Sequence, residues 1–254
     1  MKPSVHTIGF WSGLFAFAAT VGYCIVQLLQ VWRILSFPWD EKLIYGTSLL
    51  IVLPFLLEML ALHFLVPERK KFWTHAALLF TTLYAVFVTA NYVVQLATVI
   101  PMTVQGRLDE VRMLQQTPHS LFWNFDALGY IFMGLAAGAA IPAFAKTGFQ
   151  KWVRLSLIAH ALVTPLISIV YFAPVYSYRL LVLGYPWAVT APVFMLMLAL
   201  YIKKTKNEGQ RLDNRKQLHP STGNSPEPQA SSNEKGVKRR PPKSKRQHIA
   251  PGAS

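Results

Sequence analysis

Residues 44–65 read IYGTSLLIVLPFLLEMLALHFL, with one carboxylate, Glu58, and one histidine, His63, in the whole stretch. Crossing a hydrocarbon layer about 30 Å thick takes ~20 apolar residues of helix at 1.5 Å each. This segment is long enough to do so, and only a helix or a closed barrel satisfies its backbone N–H and C=O groups there. Five further stretches repeat the pattern, at 8–29, 74–100, 121–144, 153–172 and 180–202. The predicted fold is all-α: a polytopic integral membrane protein with a six-helix transmembrane bundle over residues 1–202. A disordered basic C-terminal tail is expected over 203–254.

Composition supports lipid as the outer solvent. The 254 residues are 53% hydrophobic and 14% charged, and a soluble chain of this length has no core large enough to hide that much apolar surface. The net charge of +14 resembles a nucleic-acid signal until its distribution is followed. The tail carries 13 Lys and Arg against four acids, a net +9. Its Asn-, Ser-, Pro- and Lys-rich composition offers almost nothing to bury, which predicts disorder. Beside a bilayer, the run KRRPPKSKR at 238–246 reads as a contact for anionic lipid headgroups. Nucleic-acid binding is the minority reading. Cys24 is the lone cysteine, which excludes an intrachain disulfide and any thiolate metal cluster. The first apolar run, about 22 residues, exceeds the ~7–15 of a cleaved signal core, so it is expected to remain as a span.

An even number of spans puts both termini on one side. Arg69, Lys70, Lys71, Lys146, Lys151, Arg154, Lys203, Lys204 and Lys206 cluster there, so the positive-inside rule predicts cytoplasmic termini, in a plasma membrane. Trp11, Trp32, Trp39, Trp73, Trp123 and Trp152 fall near span ends, where indole favours the interface, and Trp187 lies deeper. The longest connection, 101–120, spaces Val104, Leu108, Val111 and Leu114 as the apolar face of a surface helix.

Ionisable groups at membrane depth cost roughly 2.5–3.5 kcal/mol on insertion scales and need a partner or a wet cavity. Glu58, Asp126 and His160 meet that description, while His63 points round its helix toward the headgroups. Two polar stripes accompany them at three- and four-residue steps: Thr81, Tyr84, Asn91, Gln95 and Thr98, with Val88 completing the row, and Ser156, His160, Thr164, Ser168 and Tyr171. Rise per residue predicts two layers, an inner pair of Glu58 with His160 and an outer group of Asp126, Asn91 and Gln95, with Arg179 reaching down from the mouth. Within FWNFDALGY (122–130), Asn124, Asp126 and Tyr130 form a candidate element, and Asp126 and Tyr130 are one turn apart, as a hydrogen bond requires. The Ser and Thr members are expected to act as interhelical glue, at about 0.6 kcal/mol each. Gly9 with Gly13, Ala18 with Gly22, and Gly134 with Gly138 mark close helix approaches; packing within the bundle and a homo-oligomer contact both fit the last pair.

Metal-ligand and catalytic motifs are missing, and no cofactor is called for. Three functional classes remain. A non-catalytic membrane subunit, sensor or scaffold predicts a dry bundle with paired polar groups. A small transporter or channel predicts a wet path through Asp126, Asn91, Gln95, Glu58 and His160. A lipid-modifying enzyme predicts a pocket open sideways to lipid with an acid–base pair. The first is the leading expectation, so the chain is read as a non-enzyme.

Overall fold

A computed structural model describes residues 4–218 of the chain. Among these it is helical throughout, without a strand, and six helices are long and apolar enough to cross a membrane. Helix α1 spans Val5–Val31, opened by Ser4, whose hydroxyl accepts from the Thr7 N–H, and α2 spans Trp39–Leu65. Helix α3, Lys71–Val94, runs through a π-helical turn at Gln95–Val99 into α4, Ile100–Val104. The short α5, Leu108–Val111, precedes α6, Leu121–Ala140, and α7, Gly148–Phe172. A single turn, α8 (Tyr178–Leu181), leads to α9, Pro186–Leu218.

Consecutive helices pack side by side, α1 on α2, α2 on α3, α3 on α6 and α6 on α7. Helix α9 lies against several of them, burying Phe194, Met195, Leu198 and Ile202 completely. It meets α1 where Thr20 touches the Met195 sulfur, α2 where Phe55 packs on Phe194, and α7 where His160 does the same. The ends of the first and last spans are joined by a hydrogen bond from Lys206 Nζ to Thr7 Oγ1 of 3.1 Å. Both therefore lie at one face, called here the near face; the opposite one is the far face.

Glycines set the closest approaches. A Cβ on Gly9 would stand 2.5 Å from the Ala61 Cβ, and one on Gly13 would stand 2.0 Å from Glu58 Oε1. Gly134 lies against Thr164 and Gly138 against Ala161, so packing of α6 on α7 within the chain occupies that surface. The Ala18–Gly22 pair differs: Ala18 is exposed and nothing approaches Gly22 within 4 Å.

Several boundaries depart from expectation, and four of the departures have a local cause. The third span passes Pro101 and continues to Val104 instead of stopping at 100. Pro101 has no N–H to donate and its ring crowds the carbonyl one turn back; the wide π turn just before it accommodates the conflict. The 101–120 connection is not one amphipathic helix. Val104 belongs to α4, Leu108–Val111 makes one turn, and only Val111 of the four apolar residues is fully buried. The sixth span opens with α8 and a 3-10 turn at Val182–Gly184 before Pro186 starts α9. Disorder was expected from residue 203, yet α9 persists to Leu218. Lys, Gln, Arg and Leu there are good helix formers, and Lys204 pairs with Glu208 one turn on at 3.9 Å. The basic run at 238–246 lies outside the described residues.

At the near face, cations complete helix ends. Lys70 Nζ donates to the Ala143 carbonyl at 2.5 Å and Arg154 Nη1 to that of Ile141 at 3.0 Å. Carbonyls at a helix C-terminus have no partner of their own and carry negative partial charge, so basic side chains are well placed there.

Candidate functional site

In the far half of the bundle, five of the six spans converge on one small cavity of about 20 Å³, room for one or two water-sized groups. Helix α1 brings Tyr23, α2 brings Ser48, α3 brings Tyr84 and Tyr92, α6 brings Asp126 and Tyr130, and α9 brings Trp187. Helical periodicity explains the local placement. Ser48, Ile51 and Phe55 fall on one face of α2, and the α3 stripe of Thr81, Tyr84, Val88, Asn91 and Gln95 is buried throughout.

Asp126 is the centre, 4% exposed. Tyr92 Oη donates to Oδ1 at 2.6 Å, and Tyr171 Oη donates to Oδ2. Trp123 Nε1 donates to the Tyr171 carbonyl at 3.3 Å, which ties α6 to α7 beside the carboxylate. Gln116 is also near enough to interact with the carboxylate. Its Oε1 accepts from Asn91 Nδ2 at 2.9 Å, while Gln95 Nε2 donates to the Leu114 carbonyl at 2.7 Å. The 105–120 segment thus folds down onto the bundle through its backbone and one glutamine.

A ladder of hydrogen bonds leaves the cavity toward the far face. Tyr130 Oη and Tyr23 Oη are 3.2 Å apart, Tyr23 Oη donates to Gln27 Oε1 at 3.1 Å, Gln27 Nε2 to Gln30 Oε1 at 3.1 Å, and Gln30 Nε2 to Asp40 Oδ2 at 3.1 Å. Toward the near face the cavity stops at aromatic rings: Phe55 stacks edge-on against Tyr84 and against Phe194, centroids 5.7 and 5.6 Å apart. Both phenylalanines are 0% exposed.

The structure separates residues that depth alone had grouped. His160 and Glu58 do not pair. His160 Nδ1 lies 3.1 Å from Thr190 Oγ1 and its ring packs on Phe194, while neither Glu58 oxygen has a hydrogen-bond partner. Glu58 points at Gly13 of α1, with Ala199 of α9 nearby, because the small residues there leave space that its side chain fills. Tyr130 bonds Tyr23 and not Asp126; two tyrosines from other helices take the carboxylate. Arg179 is exposed in α8 and makes no ion pair among the described residues, since the short α8 keeps it at the surface. Asn124 is exposed and stands outside the site. Thr98 is only half-buried because the π turn rotates it off the stripe.

The stripe hydroxyls also behave differently from glue. Thr81, Ser156 and Ser168 each donate to a carbonyl three or four residues back in their own helix, the local alternative open to Ser and Thr. Around Asp126 the interhelical polar contacts come from tyrosine hydroxyls. Sequence reasoning did not assign Tyr23, Tyr92, Gln116 or Ser48 to the site. The signal was available: a phenol inside hydrocarbon needs an acceptor, and Asp126 is an acid one to two turns inside its span.

Fold and site together define a class, the polytopic integral membrane protein with a buried polar centre. The chain matches no family model, no curated protein and no solved structure.

Proposed function

We propose that this is a non-catalytic multi-pass membrane protein that senses a small ligand in the Asp126 cavity. The observation that carries the reading is convergence: an occupant there would touch side chains from five spans at once. Ligand binding at such a point biases the packing of the whole bundle, which is what a sensor needs. An enzyme is disfavoured because Asp126 is already held by Tyr92 and Tyr171 and no second acid, histidine or cysteine lines the cavity to activate the Ser48 hydroxyl. The basic near face supports cytoplasmic termini in a plasma membrane whose anionic lipids would meet Lys146, Lys151 and Lys203, as well as the basic tail.

One observation favours a transporter instead: Glu58, a second buried acid in the near half, unpaired beyond the Phe55–Phe194 layer. Transport would require that layer to open.

The test is a thermal-denaturation screen of the purified protein in nanodiscs against a library of small polar molecules. Compounds that raise the melting temperature of the wild type and lose the effect in Asp126→Asn are expected. If every stabilising compound acts equally on that variant, the cavity is not the ligand site.

A further inference from the structure

We infer that the Asp126 cavity takes a small protonated amine. The inference rests on the reading of this cavity as the ligand site and names the class of ligand. A carboxylate at membrane depth needs a counter-charge or a wet surrounding, and the fold gives Asp126 only phenolic and amide neighbours. The ion pairs among the described residues are Lys71–Glu68, Arg107–Glu110 and Lys204–Glu208, all toward the faces of the bundle. The missing positive charge is therefore not supplied by any of the described residues.

The cavity walls suit such a charge. Tyr84, Tyr92, Tyr130 and Trp187 surround the space, and cations are attracted to the faces of such rings, more strongly where water is excluded. Ser48 and Tyr84 also line it, and neither hydroxyl is engaged in a hydrogen bond among the described residues, so both are free to accept from an ammonium N–H. The volume of about 20 Å³ admits ammonium or methylammonium and is too small for a quaternary tetramethylammonium.

A separate feature points the same way. The hydrogen-bond ladder from Tyr130 ends at Asp40. One Asp40 oxygen is buried without a partner, and Glu41 is close enough to interact with it. The far end of the polar route to the cavity is thus marked by two acids, which favour an arriving cation.

The experiment measures melting temperature in nanodiscs with methylammonium chloride, using tetramethylammonium chloride at equal ionic strength and methanol as the neutral isostere. At a hundredfold excess over Kd, methylammonium should raise the melting temperature by about 5 °C, with no shift from either control and none in Asp126→Asn. Because that variant alters the fold's own hydrogen bonds, Ser48→Ala with Tyr84→Phe serves as a second one. It keeps the carboxylate and should weaken methylammonium binding about tenfold, as expected for lost hydrogen bonds to a charged group. An equal shift from tetramethylammonium, or an undiminished one in both variants, overturns the inference. So does no shift from methylammonium. A shift from methanol alone that needs Asp126 overturns the amine and leaves the site standing.

Discussion

Leucine in place of Gly9 is expected to pry α1 away from α2 and α9, with a loss of about 3 kcal/mol or more. The cause is a fixed atom. A Cβ at Gly9 would sit 2.5 Å from the Ala61 Cβ and 3.1 Å from Ile202 Cδ1, and an alanine methyl has no rotamer by which to move aside. Even Gly9→Ala should cost about 1–3 kcal/mol. Gly13→Ala is a softer case, because the first atom it meets is the end of the Glu58 side chain. That side chain is wholly buried, so it has little room to retreat. Glu58→Ala should restore part of the loss. Gly22→Leu is the control, since nothing lies within 4 Å of that position. Thermal melting of the detergent-solubilised protein reads all five. A Gly9→Leu protein as stable as the wild type would show that α1 does not pack as described.

Asp126→Leu is expected to destabilise by about 2–4 kcal/mol, because it leaves the buried Tyr92 and half-buried Tyr171 hydroxyls without an acceptor. The informative comparison is the triple variant with Tyr92→Phe and Tyr171→Phe. Removing one side of a buried hydrogen bond costs the desolvation of the orphaned partner, whereas removing both sides is close to neutral. The triple variant should therefore recover most of the stability that Asp126→Leu loses. The two Tyr→Phe changes in the wild-type background should instead each destabilise, and by less in sum than the leucine does. Equal stability of Asp126→Leu and wild type would contradict the tyrosine cage.

The spans were legible because hydrocarbon thickness imposes a length, and 44–65 already met it. The stripe on α3 was legible because helical period alone puts Thr81, Tyr84, Val88, Asn91 and Gln95 on one face, all buried. That rule broke at Thr98, where Pro101 forces a π turn that a constant period cannot anticipate. Depth along each helix put Glu58 and Asp126 in different layers but could not choose neighbours across helices. Glu58 and His160 share a level, yet helix rotation turns one toward Gly13 and the other toward Thr190. The acid of the site was visible by its cost in lipid. Its tyrosine partners were not, because they come from helices separated by 34 and 45 residues of chain. Trp187 stood out in the sequence only as the tryptophan away from a span end; in the fold it is 7% exposed and walls the cavity.

Cysteine reactivity at Ser48 measures most directly whether the Asp126 cavity is closed toward the near face. Cys24 is the only cysteine of the chain, so a Cys24→Ser background carrying Ser48→Cys presents one thiol on the cavity wall. Sealed vesicles of each orientation are treated with silver ion, a thiol-reactive cation small enough for the cavity, added to one side of the bilayer only. With Phe55 and Phe194 sealing the near side, modification should occur only with the reagent at the far face, along the polar ladder beside α1. Modification from the near face would mean that the bundle opens through to Glu58, contradicting a sensor site closed toward that face.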